Sequence, residues 1–238
     1  MQAPRISWFY QKFGDYHENL DPNWSYTPTY LRKRIKIRKF MRKITKTDLV
    51  IDVGCGEGSV VREFRDEGYN IQGVDSNYES DIVIHGDARN LPFDDLSASA
   101  VLFLDVFEHI HFADQPKVLS EIYRVLKPGG ILFATVPNLA HLNSRVTMAL
   151  RGNLDRTDSE IEHVGERPLG ENLNLFRAAN FEIKKISGLT LTLPFIYRRL
   201  ICRHAAKLRW LHDVMEPLAE RLPSLAMITV IECQTSSD

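Results

Sequence analysis

VIDVGCGEG, Val50 to Gly58, sets three glycines within five positions directly behind an apolar run that contains an acid, Asp52. A glycine turn between a strand and a helix lets the backbone approach a ligand closely, with the amides of the helix N-terminus facing it. The dinucleotide fingerprint is G-x-G-x-x-G, whereas Gly54, Gly56 and Gly58 give G-x-G-x-G, and Ser59 stands where its third small residue belongs. Spacing alone discriminates weakly; Asp52 is sharper. A carboxylate beside the loop would repel a pyrophosphate, yet it suits a ligand carrying an ammonium or sulfonium charge.

Further acids extend the pattern outward. Asp75 ends the next apolar run in IQGVDSN, about twenty residues past the loop, where a carboxylate accepts hydrogen bonds from both hydroxyls of a ribose. Asp87 in HGDARNLPF follows the third run, placed to accept from an exocyclic adenine amine. Taken singly, Asp52 or Asp87 reads equally well as a turn or helix-cap acid. Three acids at three successive strand ends favour a site for a cationic nucleoside.

Leu49-Val53, Ile71-Val74, Ile82-Ile84, Val101-Leu104 and Ile131-Val136 are rich in Val, Ile, Leu and Phe at strand length, and read as five buried parallel strands. Between them Ser59-Glu67 and Lys117-Leu126 have helical spacing, the second stopped by Lys127-Pro128-Gly129-Gly130. This β-α-β repetition predicts a doubly wound α/β, Rossmann-like sheet. Beyond it, Asn138-Glu160 reads as an excursion over the carboxyl edge, Leu169-Ala179 as a helix and Phe181-Ile186 as a strand. Thr190-Leu222, basic and aromatic, reads as a helical insertion before a last strand, Ala226-Cys233.

VIDVGCGEG, VDSN, GDARNLPF, LDVFEHI and RVLKPGGILFATVPN together resemble, in order, the successive motifs of the class I S-adenosylmethionine-dependent methyltransferases, over roughly Asp48 to Asn138. The resemblance implies a seven-stranded sheet with an antiparallel last strand and S-adenosylmethionine across the strand ends. It places the methionine part on Asp52 and the Gly54-Cys55-Gly56 backbone, within the loop that closes at Gly58. It gives the ribose to Asp75 with Ser76, and adenine to Asp87 with the Ala88 amide. Asp105 opens the segment beside the sulfonium. The chain then reads as one methyltransferase domain: an N-terminal helical cap or lid over 1–47, a cofactor core over 48–138, and substrate-side insertions at 139–168 and 190–222.

In methyl transfer the cofactor supplies the reactivity and the protein mainly aligns the reactants. An oxygen nucleophile benefits from a base, and Asp105-Val106-Phe107-Glu108-His109-Ile110-His111 offers His109. The bland alternative is that Glu108 and His109 cap the next segment and pack under the cofactor. A variant is that Asp105, Glu108 and His109 with His163 resemble the E-x-x-E-H plus distant His set of metal-assisted O-methyltransferases, such as the ubiquinone-biosynthesis and small-RNA 2′-O-methylating groups. Such a set holds a divalent ion that acidifies a bound hydroxyl. Here Asp105 is one methylene shorter than the Glu of that pattern, and the segment after His163 lacks its aromatics.

The 238 residues carry 30 Lys and Arg against 31 Asp and Glu, a formal net charge of -1, which argues against a wholesale polyanion binder. Three scattered cysteines, Cys55, Cys202 and Cys233, suggest neither a disulfide framework nor zinc. With no apolar leader at the start and no run near the ~20 residues of a spanning helix, a cytoplasmic protein is expected. LRKRIKIRKFMRKITK, Leu31 to Lys46, is a basic helix whose Leu31, Ile35, Met41 and Ile44 can share one face against the sheet. With the basic stretch from Phe195 to Trp210, it also suggests attraction to an anionic acceptor or peripheral membrane contact. The aromatics from Trp8 to Tyr30 read either as a lid or as a packed terminus. The expected activity is O-methylation of a small, glycan- or lipid-linked acceptor. RNA methylation, a non-catalytic S-adenosylmethionine sensor or partner subunit, and a nicotinamide oxidoreductase are the alternatives; the last is disfavoured by Asp52, and nucleic acid by the absence of an RNA-binding appendage.

Overall fold

The computed structural model describes residues 23–154, 163–197, 201–204 and 206–237. Helix α1 (Thr27–Met41) starts with Pro28 in its first turn, where the missing N–H costs nothing. Then follow β1 (Val50–Val53), α2 (Ser59–Asp66), β2 (Ile71–Asp75), β3 (Val83–His85), β4 (Ala98–Leu104) and a short 3-10 turn (Phe107–His109). Next come α3 (Gln115–Val125), β5 (Leu126–Pro137), α4 (Leu142–Arg151), α5 (Leu169–Ala178), β6 (Glu182–Leu189), α6 (Arg209–Arg221) and β7 (Ile228–Gln234). The aromatic residues before Asn23 lie outside the described residues, so the lid reading rests on sequence.

One seven-stranded sheet runs in the order β3-β2-β1-β4-β5-β7-β6. Strands β1 to β5 pair in parallel, while β7 inserts antiparallel between β5 and β6. The doubly wound fold with an antiparallel last strand is therefore the one the motif order implies. The order reverses between β1 and β4, the position at which open α/β sheets leave a crevice beyond the strand ends.

Side chains alternate across the pleat. Ile51, Val53, Val101 and Phe103 pack with Val118, Ile122 and Phe176 of α3 and α5. Val50, Ala100 and Leu102 pack on the opposite face with Ile37, Phe40, Val61 and Phe64 of α1 and α2. Each helix layer is thus dictated by one parity of the strand sequence.

Several expectations need adjusting. Helix α1 ends at Met41 instead of continuing to Lys46, and Ile35, assigned to its apolar face, is 53% exposed. The buried face is Tyr30, Lys33, Ile37, Phe40 and Met41, so the stripe runs through a lysine. Strand β3 is an edge strand with Ile84 and His85 exposed, not a fully buried one. The Lys127–Gly130 stop belongs to β5, where it forms the irregularity between the pairs Leu126–Ala98 and Ile131–Ala100. Among the described residues of 190–222, the α-helix is α6 and a 3-10 turn at Cys202–His204 precedes it. No helix among the described residues is long and apolar enough to cross a membrane.

Candidate functional site

The glycine loop leaves β1 with Gly54 at φ +73° and ends with Gly58 at φ +77° as the N-cap of α2. A Cβ at Gly54 would stand 2.4 Å from Val106 Cγ2, and one at Gly58 2.8 Å from Val83 Cγ2. Backbone handedness and close approach therefore both require glycine at these two positions. The Gly54 amide donates to the Val74 carbonyl at 2.7 Å, which ties the loop to the end of β2.

There Asp75 accepts from the Gly56 amide through Oδ2 at 2.9 Å and from the Asn77 amide through Oδ1 at 2.8 Å. Each oxygen keeps a lone pair for a further donor. Ser76 follows it, exposed, at the strand mouth. Asp52 sits one strand away, 2% exposed, on the face covered by α1. Burial, and then the charge of Asp75, push its carboxyl up to about 7 against the opposing pull of Lys33. Its side chain makes no hydrogen bond among the described residues. Cys55 lies between them, and burial with the same two carboxylates pushes its thiol up, so it is a neutral packing group.

Asp87 and Ala88 stand beyond β3. Arg89 Nη2 meets Asp87 Oδ2 at 2.7 Å and the Arg89 amide meets Oδ1 at 2.8 Å, so this carboxylate is held by its own turn and lies below the ordinary carboxylate range. Ala88 packs against the core. Of the three strand-end acids, Asp52 and Asp75 converge on the glycine loop, whereas Asp87 is committed to Arg89, which Asp114 also engages.

Asp105 leaves β4 in the left-handed region, at φ +54°. Its amide donates to the Thr135 hydroxyl oxygen at 3.0 Å, and its Oδ2 accepts from Tyr26 Oη at 3.0 Å and from Lys33 Nζ. Burial pushes this carboxyl up, but the Lys33 ammonium with the Thr135 and Tyr26 hydroxyls outweighs it and holds the group below its usual range. The buried face of α1 thus delivers a cation to the mouth of β4.

On the far side of Asp105, the 3-10 turn carries Glu108 inward and His109 outward. The His109 and His163 rings meet edge-on with centroids 4.8 Å apart, and Nδ1 of His163 lies 2.8 Å from Oε1 of buried Glu166. One ligand atom each from Glu108, His109 and His163 falls within 4.8 Å of the others. Asp105, the fourth member of the metal set suggested by sequence, lies outside this group and pairs with Lys33 instead. Glu108 is buried, its Oε2 has no hydrogen-bond partner among the described residues, and burial followed by the Asp105 charge raises its carboxyl well above the usual range.

Gln115 fixes the two halves of this corner. Its Nε2 lies within hydrogen-bond distance of the carbonyls of Phe107 at 3.1 Å, Ile110 at 3.2 Å and Gly165 at 2.8 Å, while its Oε1 accepts from Arg167 Nε at 2.7 Å. A Cβ at Gly165 would sit 2.0 Å from the Ile110 carbonyl oxygen, so only glycine lets the His163 segment close on the turn. Lys33, Thr135, Gln115 and Glu166 were not singled out from sequence, and Tyr26 entered only among the aromatics of the lid or packed terminus. Lys33 carried one usable signal, its helical spacing from Tyr30, Ile37 and Phe40 on the buried face.

Residues 51–134 match the family described as "Methyltransferase domain". The chain is similar to a probable S-adenosylmethionine-dependent methyltransferase of Mycolicibacterium smegmatis, 29% identical over 59% of this chain and 54% of that protein. It is similar to the malonyl-[acyl-carrier protein] O-methyltransferase of Pectobacterium atrosepticum, 32% identical over 37% of this chain and 38% of that protein. The matched region spans about half or less of the length of these curated relatives. In fold it resembles a Thermotoga maritima S-adenosylmethionine-dependent methyltransferase described as a possible histamine N-methyltransferase, at TM-score 0.62 and 17% identity, covering 97% of this chain and all of that one. With the ordered motifs, the reversed strand order and the glycine loop facing Asp75, these likenesses identify residues 51–134 as a methyltransferase domain of the class I S-adenosylmethionine-dependent type.

Proposed function

We propose that the chain transfers a methyl group from S-adenosylmethionine to an oxygen of a small, glycan- or lipid-linked acceptor. The observation that carries this reading is that the cradle of Asp52, the Gly54–Gly56 backbone and Asp75 opens beside the mouth of β4, where His109 and His163 meet. When bound, the cofactor supplies an electrophilic methyl group on a sulfonium sulfur. Asp52 fits its cationic methionine end, since a buried carboxyl without a hydrogen bond gains most from an incoming positive charge. Asp75 with Ser76 takes the ribose, and Ala88 with Asp87, using the capacity Arg89 leaves, takes adenine. Asp105 and Lys33 set the field at the β4 mouth.

His109 takes the acceptor's proton. The contact with His163, itself oriented by Glu166, fixes where that imidazole points. A base favours oxygen, because a hydroxyl must lose its proton to become a strong nucleophile. The chain is read as one domain, with the insertions at 139–168 and 190–222 supplying the acceptor side.

A second reading of the same corner is metal assistance. Glu108, His109 and His163 supply three donors, and the partnerless buried Oε2 of Glu108 suits a cation. Nδ1 of His163 on Glu166 is the arrangement that carboxylate–histidine pairs give metal sites. Such an ion would lower the pKa of a bound hydroxyl. Full activity in a strong chelator together with an unimpaired His163→Ala variant eliminates it.

The principal test is calorimetric binding of S-adenosylhomocysteine, with NADH as comparator, followed by S-adenosylhomocysteine release with small-molecule, lipid and RNA fractions. Micromolar binding lost in Asp75→Ala and turnover lost in His109→Ala support the proposal. Binding without turnover in any fraction favours the sensor, RNA-dependent turnover favours the RNA enzyme, and preference for NADH overturns the cofactor assignment. The RNA alternative lacks support from the basic helix, because Arg32, Lys33, Arg34, Lys36 and Arg38 all pair with carboxylates.

A further inference from the structure

Helix α6 is built inside out. Its inward residues are His212, Glu216 and Ala219, two of them polar. Its outward side carries Trp210, Val214 and Leu218 at successive i, i+4 positions, exposed by 59%, 67% and 48%. The helix is anchored through charge: Asp213 and Glu216 pair with Arg32 of α1, and Glu220 pairs with Lys36. An ordinary surface helix turns its apolar stripe to the core and its charges to water. Here the charges are spent on α1 and the apolar stripe is left facing out.

The surroundings extend the stripe. Tyr197 meets the His212 ring edge-on at 6.0 Å, which lays exposed Phe195 and Ile196 beside the helix. Of fourteen exposed large hydrophobic side chains among the described residues, ten lie in the two insertions, so the apolar surface is concentrated and not scattered. Arg203, Lys207, Arg209 and Arg221 are exposed, and no ion pair engages them among the described residues. The acids of α6, by contrast, are engaged toward α1.

We propose that this face of α6 docks on an anionic lipid surface. Trp210, Val214 and Leu218 enter the boundary between headgroups and acyl chains, while the free arginines and Lys207 meet lipid phosphates. A second copy of this chain suits the face less well, because a two-fold contact would set the same unpaired cations against each other. The contact is distinct from that expected of the basic helix α1, whose cations are largely neutralised. It needs no turnover, so its failure leaves the proposed methyl transfer standing, and the converse also holds.

The experiment is sedimentation of the full chain with neutral phosphatidylcholine vesicles and with vesicles in which about a third of the lipid is anionic. Expected are binding to the anionic vesicles that weakens with salt, and a blue shift of tryptophan emission absent from Trp210→Phe. Val214→Glu with Leu218→Glu, both at exposed positions, lowers the partition by about tenfold or more. Lys207→Glu with Arg209→Glu lowers it on anionic vesicles only. Unchanged S-adenosylhomocysteine binding checks that these variants fold. No binding at low salt, or binding indifferent to Val214→Glu with Leu218→Glu, overturns the proposal. So does a dimer that this double variant disperses in a protein that ignores vesicles.

Discussion

Replacing Asp52 with Asn tests whether this buried carboxyl is the cofactor's charge partner. Burial and Asp75 hold it at about 7 in the free chain. About one-tenth is therefore ionised near pH 6 and about nine-tenths near pH 8. If the bound state uses the carboxylate, affinity for S-adenosylhomocysteine, which retains the ammonium, rises about tenfold between those values, or about 1.4 kcal/mol. Near pH 6 binding releases close to one proton, read by calorimetry in buffers of different ionisation enthalpy. The sign for stability is opposite. The folded, free chain keeps a proton that the unfolded chain gives up, so this group's stabilising effect is complete below roughly pH 4 and is lost as pH rises to about 7. Asp52→Asn should bind weakly and with a flat pH profile. Equal affinity at both pH values in the unaltered chain, or a slope that survives in the variant, refutes the assignment.

Gly54→Ala forces an L side chain into φ +73° and against Val106; a loss of about 2–4 kcal/mol is expected in denaturant unfolding, with Val106→Ala in the same chain recovering only the contact part. Lys33→Met strands Asp105, whose side chain is only 24% exposed, and should cost about 2–4 kcal/mol, while adding Asp105→Asn should restore most of it in thermal unfolding. Gln115→Met keeps the volume but abandons three carbonyls, so about 2–3 kcal/mol is lost. The imidazole cross-peak between His109 and His163 should disappear from NMR spectra of that variant.

The parallel strands and the glycine loop were legible because their signals are local. A parallel strand buried on both faces is a short continuous apolar run, and a left-handed loop must be glycine. What the sequence concealed depends on contacts between distant segments. Lys33 looks like every other cation in LRKRIKIRK until β4 delivers Asp105 beneath it, 72 residues later. Gln115 carries no catalytic signature, yet it joins the His109 turn to a segment 50 residues away. Asp87 shows the converse: it follows β3 as its motif suggests, but Arg89 two residues on donates to both its oxygens, a neighbour effect that pattern matching overlooks.

The charge pattern of α1 changes meaning in the same way. Read linearly, its run of Lys and Arg suggests a surface for polyanions. Folded, Arg34 and Arg38 meet Glu63 of α2, Arg32 and Lys36 meet the acids of α6, and Lys43 just beyond the helix meets Glu232 of β7. The basic helix serves as an electrostatic adhesive that fastens the late insertion to the core. Exposed ion pairs are individually weak, each about 0–1 kcal/mol, and inward α6 adds to them the contacts of Ala219 and Met215 with the small cluster of Leu191 and Ala226. A helix held this way would gain stability if its outer stripe found an apolar medium, so the proposed docking would also fasten α6. The acceptor side of the site would then be most firmly assembled at a lipid surface, which joins the two proposals through a shared element without making either depend on the other.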